Sequence, residues 1–282
     1  MIKKIIILLL GLTSFMLISC TSNDKDIVNQ QLPKKLIKLI YNNGSFTSET
    51  SFIYDSNDNI IELKTISTDN GEFLSEEMCI LTYENNIIIS SSCNKNGNES
   101  SSSNYDYINY QLIETATIYP LSPPDEYGNP RFYGTKYNYI ENEVLSTRSV
   151  QTDVRIAPIL VDITYDDNRN VINSFVNLFD GGVNSYTYDQ SPTPFDYFSY
   201  NNRIIINQFI GQFENYDERF SKNNVTESLI SSAESNFTIF STISIEYDSE
   251  NHPIQKRIVK LKDDQEIDRY SITYKYEESK SL

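Results

Sequence analysis

Between residue 34 and the C-terminus, apolar and polar side chains alternate in short runs. In "FTSETSFIY", Phe46, Ser48, Thr50, Phe52 and Tyr54 share one face, and Thr47, Glu49, Ser51 and Ile53 share the other. Neither face is uniformly apolar. The pattern predicts a meander with one moderately apolar side, packed largely through cross-strand Tyr and Phe pairs. Some fourteen to sixteen runs can be counted, and those of eight to ten residues would be about 30 Å long. So many strands are expected to curl, partly around themselves or into a barrel-like shape. The predicted fold is all-β: a long antiparallel meander of repeated hairpins in one curled sheet or open barrel-like structure.

Two kinds of turn punctuate these runs. The first is Asn-Gly, at Asn43-Gly44, Asn70-Gly71 and Asn96-Gly97, spaced 27 and 26 residues apart. Asn-Gly accepts the positive φ angles of a two-residue hairpin turn. The second begins with an aromatic and continues with Asn and Asp: "YDSNDNII" at Tyr54, "YENNIII" at Tyr83, "YIENEVL" at Tyr139, "YDDNRNVI" at Tyr165, "YNNRIII" at Tyr200 and "YDSENHPI" at Tyr247. The alternate oxygens of "DSNDN" and "DDNRN" mimic half of a calcium loop. However, Ile60 and Val171 stand where such a loop needs glycine, and no bidentate Glu follows at the right distance. These stretches are therefore read as turns, and no metal site is expected.

Two segments interrupt the alternation. Residues 119–134 and 180–198 are rich in Pro and Gly or Pro and aromatic residues, and read as loops or strand-poor insertions. Between about 211 and 236 the period fades, and "VTESLISSAES" reads as a short helix opened by Thr226.

The amino terminus differs from everything after it. "MIKKIIILLLGLTSFMLISC" has Lys3 and Lys4, then an apolar run to Ile18 that is short for a transmembrane helix. Leu17-Ile18-Ser19-Cys20 resembles the bacterial lipobox, which implies cleavage before Cys20 and lipidation of its thiol; an ordinary signal peptide or an uncleaved anchor is the alternative. Each buried methylene of an acyl chain contributes about 0.8 kcal/mol. With no later long apolar run, Cys20 is the expected membrane attachment. The domain reading is residues 1–19 as signal peptide, 20–33 as lipidated cysteine and tether, and 34–282 as one repetitive β-hairpin domain.

Charge removes one class of partner. Asp and Glu number 39 against 23 Lys and Arg, for a formal net charge of −16. Such a surface repels phosphate backbones, so no nucleic-acid partner is expected. Asp24 and Asp26, close behind Cys20, resemble the acidic export signal of surface-displayed Bacteroidota lipoproteins; a polar spacer that happens to hold two acids reads equally well. The expected location is the outer membrane, through the lipid, with cell surface or periplasmic face undecided.

The Tyr-Asp hairpins, the lipobox and "YTYDQSPTPF" together resemble a group of uncharacterised Bacteroidota lipoproteins built from repeated hairpins, with a porin-like or open curled sheet. The matching positions are Tyr188, Asp189, Pro194 and Phe195. The repeats are also similar to the YD repeats of Rhs-type shells, except that Asp58, Arg169 and Glu250 replace the usual glycine. Neither resemblance brings a catalytic site.

Candidate chemistry is sparse. The one histidine, His252, lies in a repeated turn and reads as solvated; no zinc-protease, nucleophile-elbow or phosphate-loop motif occurs. No cofactor and no enzymatic activity are expected. Three functional readings remain: a non-catalytic binding or scaffold module with an envelope protein as partner, a glycan-binding accessory protein marked by exposed Tyr and Phe, and a glycan hydrolase marked by two converging carboxylates. A transmembrane barrel fits less well, because Glu49, Lys64 and Glu72 interrupt the early strands.

Cys79 and Cys93 flank "ILTYENNIIISSS". A hairpin centred on Asn86 makes them direct partners, within the Cα separation a disulfide accepts. The envelope preserves such bonds. Two free buried thiols, or a register slipped by one residue, are the alternatives.

Overall fold

The structure, a computed structural model, describes residues 34–119, 131–140, 144–151, 159–177, 182–210, 220–232 and 237–277. The first eight strands are β1 (Leu36–Asn42), β2 (Phe46–Tyr54), β3 (Ile60–Asp69), β4 (Glu72–Glu84), β5 (Ile87–Lys95), β6 (Asn98–Ile108), β7 (Gln111–Tyr119) and β8 (Arg131–Ile140). The second eight are β9 (Val144–Gln151), β10 (Ile159–Tyr165), β11 (Val171–Asn177), β12 (Gly182–Pro192), β13 (Asn223–Ser232), β14 (Phe237–Tyr247), β15 (Pro253–Lys262) and β16 (Gln265–Tyr276). Among the described residues one helix, α1 (Tyr200–Ile210), lies between β12 and β13.

Every strand pairs antiparallel with the next, and β1 pairs with β16, as at Leu39–Tyr274, so the sheet closes into a barrel of sixteen strands. The curled meander expected from the alternation is thus fully closed, which leaves no exposed edge. The Asn-Gly turns behave as expected: Gly44, Gly71 and Gly97 have φ of 101°, 82° and 80°. They gather at one end of the barrel, and the Tyr-Asp/Asn turns gather at the other.

At that second end one five-residue turn recurs. Asp55 Oδ1 accepts the amides of Asn57 and Asn59 at 2.8 and 2.9 Å. Asp166 Oδ1 does the same for Asn168 and Asn170, and Asp248 Oδ1 for Glu250 and His252. The fourth residue of each turn, Asp58, Arg169 or Asn251, has φ near 64°. The leading carboxylate is thus engaged by main-chain amides, which favour its ionised form; the Asn59 amide, ahead of others, holds the Asp55 carboxyl below the usual range.

The repeated tyrosine has an equally local cause. A bulge follows most of these turns and leaves a carbonyl at the start of the odd-numbered strand outside the ladder. The tyrosine ending the next even strand donates to it: Tyr54 to Leu36 O (2.6 Å), Tyr83 to Ile60 O (2.9 Å), Tyr107 to Ile88 O (2.8 Å) and Tyr139 to Leu112 O (2.6 Å). Tyr188 to Val171 O and Tyr276 to Pro253 O continue the series. The same rim bond thus recurs hairpin after hairpin around the barrel.

Alternation assigns one side-chain row to the lumen. The lumen near the Tyr-rich rim is apolar, with Leu36, Leu39, Ile60, Leu63, Ile88 and Leu112 at most 2 % exposed. Sixteen porin strands ordinarily enclose water. Here the space is filled by the segment between β12 and β13, whose Phe195, Phe198, Ile204, Ile205, Ile206 and Ile210 are buried. Phe198 stacks on Phe52 of β2 and Phe195 meets Tyr274 of β16 edge-on, so the plug packs on the two strands that flank β1, where the barrel closes.

Three sequence expectations are corrected here. "VTESLISSAES" lies mainly in β13 rather than a helix, with neighbours β12 and β14 supplying ladder bonds on both sides. "YNNRIII" is not a turn but α1: Ser199 caps it, Asn202 N bonding Ser199 Oγ at 3.4 Å, and three consecutive isoleucines can all be buried because a lumen surrounds the helix. Residues 182–192 form β12, which Pro192 ends, instead of a strand-poor insertion. The turn expected after Tyr139 and most of the Pro-rich run at 119–134 lie outside the described residues, as does Cys20.

Candidate functional site

The plug divides the lumen. α1 enters from the Tyr-rich rim, where Asn201 Nδ2 donates to Tyr110 O at 2.7 Å and Asn201 Oδ1 accepts the Leu112 amide. Arg203 fixes its base, reaching Asp196 at 2.6 Å and the carbonyls of Phe198 and Ser221. Its far end, Gln208 and Phe209, floors a cavity of about 410 Å³ that spans from β3 to β9. That volume falls within the range of small-molecule sites.

The cavity wall combines two kinds of group: Leu63, the half-cystine pair and Tyr137, and the hydroxyls of Thr65, Ser101, Ser103, Thr115, Thr117 and Thr135. These positions share the lumen face because each pairs with the next across the ladder: Ser103 with Thr117, Thr117 with Tyr133, and Thr115 with Thr135. Ser103 and Thr117 hydroxyls bond each other at 2.9 Å, and Thr65 bonds Thr50 at 2.9 Å. Among the described residues, the hydroxyls of Ser101, Thr115 and Thr135 make no hydrogen bond. Tyr119 and Tyr133 meet edge-to-face at 5.1 Å in the wall. Burial, then Tyr133 and Glu77, push the Tyr119 phenol above its ordinary pKa.

Two charged groups stand in the cavity wall, Glu77 on β4 and Arg148 on β9. Glu77 Oε1 accepts Ser100 Oγ at 3.1 Å. Glu77 is the single carboxylate among the described lining residues, so the converging acid pair expected of a glycan hydrolase is not assembled there. Cys79 and Cys93 lie in the same wall, directly paired on β4 and β5, and are joined by a disulfide. The turn beneath them is not the loop centred on Asn86: Asn85 and Asn86 both take positive φ, and a bulge between Thr82 and Tyr83 restores the pairing.

His252 is the residue whose surroundings the sequence misjudged. It is 4 % exposed, with its ring 5.6 Å from that of Tyr276, rather than solvated. It clusters with Asp248 and Glu250, ligand atoms within 4.8 Å of one another. The Lys34 ammonium occupies the position a cation would take, bonded to Asp248 at 2.8 Å and to Glu250. Burial raises the Asp248 pKa, but Lys34 and the His252 and Glu250 amides outweigh it and hold the carboxyl low. Tyr188, Asp189, Pro194 and Phe195 also take structural places: Asp189 accepts Tyr247 OH and the Ser191 amide, and Phe195 packs in the plug.

The outer wall carries charge. Lys38 pairs with Glu49, Lys64 with Glu76 at 2.8 Å, and Arg257 with Glu246 at 2.6 Å, all on the face turned away from the lumen. Exposed apolar residues, among them Ile37, Ile53, Phe73, Ile80, Phe175 and Leu229, are also present on the surface.

No family model and no curated protein matches the chain. Solved structures share its fold, two of them porin-like proteins. A porin-like protein from Bacteroides uniformis aligns with a TM-score of 0.58 at 14% identity, covering 88% of this chain and 99% of its own. A porin-like protein from Bacteroides vulgatus aligns with a TM-score of 0.54 at 12% identity, covering 87% of this chain and 100% of its own. The fold is therefore that of a porin-like β-barrel.

Proposed function

We propose that this chain is a lipid-anchored barrel of the outer membrane that stands in water and acts as a non-catalytic binding module. The observation that carries this reading is the inversion of chemistry across the wall. A membrane-spanning barrel turns an apolar band outward and a polar surface inward, and a Lys or Arg at the bilayer midplane costs about 2–4 kcal/mol. This wall turns Lys38, Glu49, Lys64, Glu76, Glu246 and Arg257 outward and packs leucine, isoleucine and phenylalanine inside. Attachment falls to the lipid on Cys20. The described barrel begins and ends at the plugged rim, where Glu277 N bonds Lys35 O at 2.9 Å, and the cavity lies toward the other end. Similarity to porin-like Bacteroides folds supports an envelope setting.

A second reading, accessory glycan binding, is favoured by Tyr119 and Tyr133 in the cavity wall. The anchor is tested by Cys20→Ala: the variant is expected in the soluble envelope fraction, and retention in the membrane fraction would overturn the reading.

A further inference from the structure

We infer that the lumen cavity above α1 is a binding site for a neutral saccharide of one or two rings. The inference rests on the binding-module reading and names its ligand class. The cavity's polar groups are hydroxyls, each able to donate and accept one bond in turn, which matches the donor-acceptor character of sugar hydroxyls. Three of them, on Ser101, Thr115 and Thr135, bond no described residue and line the open volume of the cavity. Hydroxyls so placed are open to a bond from whatever occupies it. In a cavity this size a ligand hydroxyl supplies the bond.

Two planar polar groups complete the set. The Glu77 carboxylate accepts in-plane hydrogen bonds and the Gln208 amide, presented from the floor by α1, donates and accepts. Tyr119 and Tyr133 offer ring edges and faces to the C–H side of a pyranose, a contact aromatic side chains make well.

Competing ligand classes fit less well. An apolar ligand would strip water from a ring of hydroxyls without replacing their bonds. A phosphate or uronate would enter a chain of net charge −16 whose cavity sets Glu77 against Arg148, so no surplus of positive charge receives it. A long polymer would have to pass α1, which closes the lumen. The structure thus selects a short neutral ligand.

The experiment uses the full chain carrying Cys20→Ala. It titrates galactose, glucose, N-acetylglucosamine, lactose and cellobiose by saturation-transfer NMR and calorimetry, with glucuronic acid alongside. At least one neutral sugar is expected to bind, and Thr115→Val combined with Thr135→Val to weaken it about tenfold or more, since two hydrogen bonds at about 1 kcal/mol each are lost. If the double variant unfolds, Glu77→Gln repeats the test with a change of nearly equal shape and the same expected direction. No binding by any neutral sugar, binding that survives the lumen substitutions, or tighter binding of glucuronic acid would each overturn the inference. The assay does not use the lipid, so its failure leaves the anchor reading intact, and failure of the anchor test leaves the cavity assignment intact.

Discussion

Along β2 the lumen-facing row passes from Phe52 and Tyr54 at one end to Ser48 and Thr50 farther up, and the chemistry of the interior changes with it. Phe52 stacks on Phe198 of the plug, whereas Thr50 hydrogen-bonds Thr65 across the ladder. One strand therefore serves two interiors: a packed core below and a hydroxyl-lined cavity above. The lower half has the dense apolar packing of a soluble domain. The upper half holds a cavity whose wall is lined by small hydroxylated residues around Gln208. Backbone closure is common to both halves, so side chains alone decide which half is core and which half is site.

The comparison is broken most violently from below. Ile205→Asp places a charge in the plug core at a position with no exposure. It is expected to cost more than about 4 kcal/mol and to abolish cooperative unfolding in denaturant at room temperature. A folded variant with a near-normal midpoint would mean that the plug does not hold the barrel.

The disulfide lies where the halves meet. Replacing Cys79 and Cys93 with Ser should lower stability by about 3 kcal/mol in chemical denaturation, from loss of a short-loop cross-link. Labelling of denatured, unreduced protein should find neither thiol reactive.

The tyrosine rim gives the plugged half its own pH response. Burial raises the pKa of Tyr54, Tyr83 and Tyr107 well above 10.0, and that of Tyr105 to about 12. Folded tyrosines keep protons that unfolded ones release near pH 10, so this contribution is complete below pH 10 and is lost as pH rises above it. Tyrosinate absorbance of these side chains should appear together with the loss of β circular dichroism, chiefly between pH 10 and 12 and beyond. Tyr83→Phe leaves the Ile60 carbonyl unpaired and should cost about 1–3 kcal/mol.

The smallest effect is expected above the plug. Thr135→Val removes a hydroxyl without a protein partner and should shift the unfolding free energy by less than about 1 kcal/mol. A larger loss would show that the cavity ring is part of the core after all.

How far the sequence foretold this division depends on the range of each signal. Period-two alternation and Asn-Gly turns are local, so the meander and its hairpin tips were legible from residues such as Phe46–Tyr54 and Asn70-Gly71. Closure between β1 and β16 joins positions more than two hundred residues apart, and no local pattern reports it. The helix was missed because "YNNRIII" repeats the form of the turns; Ser199 in front of it was the available signal. No local pattern showed that Thr115 and Thr135 would line a cavity beside α1. His252 was misjudged for the same reason: Tyr276, which covers it, arrives from a different hairpin.

The pairing of the first strand with the last has a consequence for how the molecule is made. Fifteen of the sixteen strand contacts join neighbours in the chain, and all of these except β12–β13, which the plug segment separates, can zip as soon as the second strand of the pair is complete. The sixteenth must wait for β16, and until then β1 presents an unpaired row of amides and carbonyls. A chain stopped before Gln265 would keep two such edges permanently, at β1 and β15, and exposed edges of this length recruit other chains. The last strand is therefore the quality-control point of assembly: its arrival turns an aggregation-prone ribbon into a particle with no edge to offer.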